Sequence, residues 1–500
     1  MKVIPASEMA RVEKLAYEKG ASDEVFMEAA GRGLAEVVEG LVQEQNLEWQ
    51  AAILCGKGNN AGDAYVAGCY LLEQGYAIRA LQLAPIEEAS PLCKKNHDRF
   101  VAAGGEVVAV EEEEDLRFFD DGVIIDGVFG TGFKGKVEGT FAAAFRRANV
   151  SGLPAIAVDI PSGINGNTGE MGGIAIEAHT TVYLGLPKTG FFLGEGWNHV
   201  GHLHLVEFGL AQEFVDEAQP DFIMLIKHVA AQLLPPIVRS RHKYQAGYVV
   251  GVAGSQAMPG AALLSSFAAL RAGAGMMRLL HAADMRPHAL GLPAEVLAEP
   301  LESGMNWLEK ASAVFVGPGL GTDKKTANLL RDVLAQITCP CVLDADALTL
   351  IAQDDLKFPE QTVITPHRGE MHRLLGREEL DGPDLLKACQ EYVNEKNVVL
   401  VLKGGPSFVF LPKPLNMPWV VTRGDAGMAT AGCGDVLTGV IAALLAQGLR
   451  PGHAALAGTY LHGVAGEFAA EELTSYSVVA SDVTEHLPEA FGELLAARYP

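Results

Sequence analysis

Asp435 stands where small residues and glycines run into an apolar stretch: Ala426-Gly-Met-Ala-Thr-Ala-Gly-Cys-Gly-Asp-Val-Leu-Thr-Gly439 leads into a helix expected over 436–447. Successive backbone N–H groups at a helix N-terminus form an anion site. A carboxylate there can take a proton from a hydroxyl attacking a phosphoryl group. The alternative is that Asp435 is a plain helix N-cap. Upstream, Lys403-Gly-Gly follows an apolar strand, and Thr365-Pro-His-Arg-Gly-Glu370 follows another strand end. Asp344 and Asp346 lie just past a third strand, where they either serve the same site or cap the next helix.

The first half carries a different set. Ile53-Leu-Cys-Gly-Lys-Gly-Asn-Asn-Ala-Gly-Asp63, Asp126-Gly-Val-Phe-Gly-Thr-Gly132 and Asp159-Ile-Pro-Ser-Gly163 each place a turn after a strand. If those strands are neighbours, oxygens of Asn60, Asp126 and Ser162 converge at one sheet edge. Neutral and singly charged oxygens suit a monovalent cation better than zinc, which prefers nitrogen and sulfur. Asp159, two residues before Pro161, reads on its own as a turn residue. His199, His202 and His204 lie on or before an apolar strand but lack a fourth ligand, which argues against zinc.

These residues need strand ends to hold them. Residues 7–44 have helical spacing; 51–55, 77–83, 123–125 and 155–158 read as strands, and 64–74 as a helix. The polar segment 211–221 and Leu234-Pro-Pro-Ile237 break the pattern and put a domain boundary near 215–230. A second series follows, with strands expected at 248–253, 313–316, 341–343, 362–364 and 398–402. Strands alternating with helices indicate parallel α/β sheets, with ligands at the carboxyl ends of the strands.

The 500 residues suit two or three domains, and 49% hydrophobic content suits large cores. A net charge of -24 opposes general binding to nucleic acid or anionic membrane, but not phosphate capture in a local pocket. Seven scattered cysteines without a CxxC pair suggest buried thiols rather than a disulfide framework. The first eleven residues lack a signal-peptide pattern, and no long uncharged apolar segment suggests a membrane span. The expected compartment is the cytoplasm, and the expected assembly a homo-oligomer, a tetramer or larger.

Four motifs in order, Val252-Ala-Gly-Ser255, Gly317-Pro-Gly-Leu-Gly321, Thr365–Glu370 and Ala429–Asp435, resemble the NAD(P)H-hydrate dehydratases of the ribokinase-like superfamily. The three Gly-rich loops, with Phe26-Met-Glu-Ala-Ala-Gly31 and Leu186-Pro-Lys-Thr-Gly190, resemble the YjeF N-terminal family of NAD(P)H-hydrate epimerases. The resemblance implies two α/β domains: a Rossmann-like epimerase domain over 1–220 and a ribokinase-like dehydratase domain over 225–500. It implies that Asp435 is the base and that Gly434 and neighbouring amides hold phosphoryl oxygens. Lys403, Gly404, Gly405, Pro406 and Ser407 would line ADP, the phosphoryl donor, with magnesium neutralising the phosphates. Ala253, Gly319, His367 and Asp435 would meet hydrated NADH or NADPH. In the first domain it implies potassium on Asn60, Asp126 and Ser162. Substrate contacts would come from Asn59, Asn60, Ala61, Gly62 and Asp63, from Gly130, Thr131, Gly132, Phe133, Lys134, Gly135 and Lys136, and from Asp159, the proton carrier.

Some positions depart from the usual pattern. Ala61 and Ala64 replace glycines, and alanine at 61 would be strained if φ were positive there. Cys433 replaces a threonine or serine, and Tyr244 a glycine. Two rival functions remain: a ribokinase-like small-molecule kinase, and a non-catalytic dinucleotide-binding first domain.

Overall fold

The computed structural model describes residues 1–286 and 290–498. The chain divides into two compact units, Met1–Phe222 and Ile223–Pro500.

In the first unit, helix α1 (Ala6–Glu18) is followed by helix α2 (Asp23–Gln45). Ser22 caps α2 by accepting from Val25 N, and Asn46 ends it in the left-handed conformation that a C-cap favours. Seven parallel strands follow: β1 (Gln50–Cys55), β2 (Ala77–Gln82), β3 (Glu106–Ala109), β4 (Val123–Gly127), β5 (Ala155–Val158), β6 (Thr180–Leu184) and β7 (His202–Val206). Their order in the sheet is β3-β2-β1-β4-β5-β6-β7. The central strands are buried along nearly their whole length because helices cover both faces, so they read as unbroken apolar runs. Strand order reverses at β1 and β4, which opens a crevice at their carboxyl ends.

The Gly-rich stretch after β1 is not a loop. Helix α3 (Asn59–Glu73) begins at Asn59, five residues before the expected start at 64, behind the N-cap Gly58. Ala61 therefore lies in a helical first turn, outside the positive-φ residues, and the expected strain does not exist.

The second unit contains β8 (Phe222–Met224), β9 (Tyr248–Val252), β10 (Met276–His281), β11 (Val296–Pro300), β12 (Ala313–Val316), β13 (Cys341–Leu343), β14 (Thr362–Ile364), β15 (Val399–Leu402), β16 (Ser407–Phe410) and β17 (Trp419–Val421). Their order is β8-β17-β16-β15-β14-β13-β12-β9-β10-β11, and only the β15–β16 and β16–β17 pairs are antiparallel. Helices α4 (Pro259–Arg271), α5 (Asp346–Asp354), α6 (Arg368–Leu375) and α7 (Cys433–Ala446) position the loops of interest. α7 is almost wholly buried and packs tightly on α4: a Cβ at Gly439 would lie 2.1 Å from Ser265 O, so only glycine permits that approach.

All seven cysteines are free, and all but the half-buried Cys339 are buried. Among the described residues no helix is long and apolar enough to cross a membrane.

Candidate functional site

The second unit gathers its polar residues at the carboxyl ends of β13, β14 and β15. Asp344, 1% exposed, follows β13. Its Oδ1 accepts from Lys403 Nζ at 2.7 Å and its Oδ2 from Thr438 Oγ1 at 2.7 Å. Lys403 follows β15, and Glu370 Oε2 lies 3.9 Å from its ammonium. Burial opposes the Lys403 charge, but Asp344, Glu370 and Asp435 outweigh it and raise its pKa. The helix-capping reading of Asp344 and Asp346 fails. Ala345 occupies the N-cap of α5 with no side-chain cap, while Asp344 serves the ion pair and Asp346 Oδ2 accepts from Gly321 N at 2.8 Å.

Asp435 is not an N-cap either. α7 starts at Cys433 rather than 436, behind Gly432, whose φ of +99° suits glycine. Asp435 thus sits in the first turn, among free helix N–H groups. Burial raises its pKa to about 7; Asp344, Asp346 and Glu370 add to the rise and Lys403 opposes it. A Cβ at Gly434 would stand 3.1 Å from Lys403 Nζ, so the Gly434 backbone and the ammonium face the same space. Cys433 is buried, with its thiol pushed up to about 11, and stays neutral at pH 7.

Ala253 follows β9, and Gly319 lies in the turn after β12, the neighbouring strand. Gly254 N donates to Pro318 O at 2.8 Å, which joins the two turns. His367 caps α6: its Nδ1 accepts from Glu370 N at 3.2 Å, and Glu370 Oε2 accepts from His367 N at 2.8 Å. Gly404–Ser407 form the turn between β15 and β16, where Ser407 Oγ donates to Gly404 O at 3.0 Å. Tyr244 is exposed, so replacing the usual glycine disturbs no packing.

In the first unit Ser162 bonds Asp126 directly, and Asn60 joins them through Phe129. Asp126, fully buried at the end of β4, accepts from Ser162 N at 2.7 Å, Ser162 Oγ at 2.6 Å and Val128 N at 3.2 Å. Ser162 Oγ accepts from Phe129 N at 2.8 Å, and Asn60 Nδ2 donates to Phe129 O at 3.2 Å. Burial raises Asp126 to about 6 despite the Ser162 hydrogen bonds. A buried carboxylate with only neutral donors has room electrostatically for a cation, and the surrounding oxygens are of the type a monovalent ion takes. Replacing Ser162 by Ala removes the O–H donor to that carboxylate and the acceptor for Phe129 N. A stability loss of about 1.5–3 kcal/mol is expected by urea unfolding. A loss below about 0.5 kcal/mol, an ordinary surface effect, would refute a supporting role.

Asp159 follows β5 with a φ of +64°, an uncommon conformation that a functional site can impose. Its Oδ1 accepts from Leu184 N at 3.0 Å and from Lys188 Nζ. Lys188 is fully buried and also donates to Leu184 O at 3.1 Å. The sequence gives Lys188 no role of its own; its signal is its place in the segment Leu186-Pro-Lys-Thr-Gly190. Asn59 Oδ1 accepts from Ser90 Oγ at 2.7 Å. Gly132 and Lys134–Lys136 are exposed, while Phe133 stacks on Phe129 at 4.9 Å between ring centroids. His202 and His204 are exposed on β7, and no cluster among the described residues suits a metal held by His, Cys, Asp or Glu.

Residues 249–489 match the NAD(P)H-hydrate dehydratase family, and residues 23–190 match the YjeF-related protein N-terminus. A bifunctional NAD(P)H-hydrate repair enzyme of Moorella thermoacetica is 34% identical over 98% of this chain and 96% of its own. That of Thermofilum pendens is 35% identical, over 99% of this chain and 97% of its own. A ribokinase-like superfamily protein from Enterococcus faecalis is 28% identical with a TM-score of 0.50, over 55% of this chain and 96% of its own. Matched to such relatives over nearly their full length, the chain belongs to the bifunctional NAD(P)H-hydrate repair enzymes.

Proposed function

We propose that this chain restores hydrated NADH and NADPH: the first unit interconverts the two epimers of the hydrate, and the second dehydrates one of them using ADP. The observation that carries the dehydratase is Asp435, a carboxyl raised to about 7 at the N-terminus of α7 beside Lys403. Asp435 takes the proton from the ring hydroxyl as that oxygen attacks the terminal phosphoryl group of ADP. The O–P bond forms, AMP leaves, and the N–H groups at the start of α7 with Lys403 face the transferred charge. The ring nitrogen then expels phosphate as a neighbouring proton is lost, which regenerates the dihydronicotinamide.

Gly404–Ser407 would line the nucleotide, and Ala253, Gly319 and His367 the dinucleotide. Magnesium, when bound, neutralises phosphate charge. Both oxygens of Asp344 are already engaged by Lys403 and Thr438, so the phosphates would supply much of its coordination. In the first unit, Asn60, Asp126 and Ser162 would hold potassium and thereby fix the loop around Phe129. Asn59–Asp63, Gly130–Lys136 and Asp159 would meet the hydrate. The domain spans in this reading are 1–220 and 225–500. The compartment is the cytoplasm, where seven unpaired thiols stay reduced, and the assembly is a homo-oligomer, a tetramer or larger.

The test is recovery of dihydronicotinamide absorbance from a mixture of both hydrate epimers, with ADP and with ATP in parallel. Complete recovery with ADP is expected. Recovery that halts when one epimer is spent would refute the epimerase half. A stable phosphorylated product would favour the rival reading, a small-molecule kinase.

A further inference from the structure

The first unit buries more ionisable groups than a cation site and one proton carrier require. Asp63, in the first turn of α3, is 8% exposed and its carboxyl makes no hydrogen bond among the described residues. Asp159 is 6% exposed and paired with the buried Lys188. The two aspartates follow β1 and β5, which flank β4. Their strands are therefore two spacings apart, roughly 10 Å, enough for a flat ring between the side chains. Glu13, half-buried on α1, is the third member. Its place is fixed because the chain before α1 is tied to the Lys188 segment: Ile4 N donates to Pro187 O at 3.1 Å and Thr189 N to Ile4 O at 2.8 Å.

We propose that Asp63 is the acid partner of Asp159 in epimer interconversion, and that Glu13 passes the proton between them. The inference rests on the epimerase reading above. The carbon to be inverted bears both a hydroxyl and the ring nitrogen. Asp63 donates its proton to that hydroxyl; the C–O bond breaks, water leaves, and the nitrogen lone pair forms a C=N bond. Water then adds to the opposite face: the new C–O bond forms, the π electrons return to nitrogen, and the Asp159 carboxylate accepts the surplus proton. Asp63 is left ionised and Asp159 protonated, and Glu13 returns the proton. Interconversion in the other direction runs the same steps backwards, with Asp159 as the acid.

The electrostatics agree with this division of labour. Burial, then the Asp159 and Glu13 charges, push the Asp63 pKa well above its ordinary value, which favours the protonated form that an acid needs. Burial and the Asp159 charge bring Glu13 to about 7 against the pull of Lys188, a value suited to relaying a proton. The other titratable groups that feel Asp63 are Tyr17 on α1 and the Cys93 thiol, raised to about 12 and about 11, so both stay protonated. Lys188 touches Asp159 and acts as a positioning residue.

The test uses the full chain, single purified epimers and no nucleotide, with interconversion followed by chromatography and corrected for the spontaneous rate. Asp63→Asn is expected to lower kcat by about a hundredfold or more with KM nearly unchanged, and Glu13→Gln by about tenfold. A wild-type chain that does not interconvert the epimers would overturn the epimerase reading itself. A wild-type chain that does, alongside an Asp63→Asn variant with near-normal kcat or a loss confined to KM, would overturn this proposal alone. If Asp63→Asn is not recovered folded, Glu13→Gln decides: unchanged kcat removes the relay and the proton circuit with it.

Discussion

Asp435→Asn is expected to abolish dehydration of the hydrate while making the chain harder to unfold at neutral pH. A positioned base is typically worth 10²–10⁴ in rate, and Asn keeps the shape but cannot accept the proton. The gain in stability follows from the same carboxyl. In the folded state its pKa is about 7; in an unfolded chain an aspartate sits near 3.9. The folded state therefore holds the proton more tightly, and ionising the group costs stability. That cost is absent below about pH 4, grows as pH rises, and levels off above about 7. Asn removes it, so the unfolding temperature of the variant should match wild type near pH 4 and exceed it at pH 8. In wild type the same ionisation should appear as activity rising with pH through about 7. A variant with near-normal turnover would remove Asp435 from the chemistry. A variant destabilised at pH 8 would mean that its carboxylate is a structural anchor.

The central strands of both sheets are legible in the sequence because parallel strands covered on both faces are continuous apolar runs, as at 51–55 and 341–343, whereas β3, β6, β10, β11, β16 and β17 are not. Helix starts were harder. Asn59–Asp63 and Cys433–Asp435 are built of residues that favour turns, yet they form first helical turns. A turn composition and an anion-binding helix start look alike one residue at a time. The proximity of Asn60, Asp126 and Ser162 could be anticipated because each lies at or just after a strand's carboxyl end, and sheet order brings those ends together. Long-range ion pairs had no such signal. Asp344 looked like a cap because its neighbours in sequence suggest one, while its partners Lys403 and Thr438 lie 59 and 94 positions away. Glu13 carries no signal for the same reason: on α1 a glutamate looks like a solvated face until the chain that covers it is placed.

Lys188→Met is expected to cost about 3–5 kcal/mol of stability, because it leaves the Asp159 carboxylate buried without its ammonium partner. Lys188 is fully exposed to no solvent and Asp159 to very little, so water cannot take over the lost role. The double variant Lys188→Met/Asp159→Asn has no stranded charge and should recover much of that loss, since the two sites share one interaction. It should recover none of the epimer interconversion, because Asn cannot carry the proton. Urea unfolding of wild type, both single variants and the double variant measures the coupling; epimer exchange measured on the same four proteins separates folding from chemistry. Additive stability losses would mean that the pair is not coupled and that Lys188 stabilises the fold through Leu184 O instead. Restored interconversion in the double variant would take Asp159 out of the reaction and leave the inverted carbon to Asp63 alone.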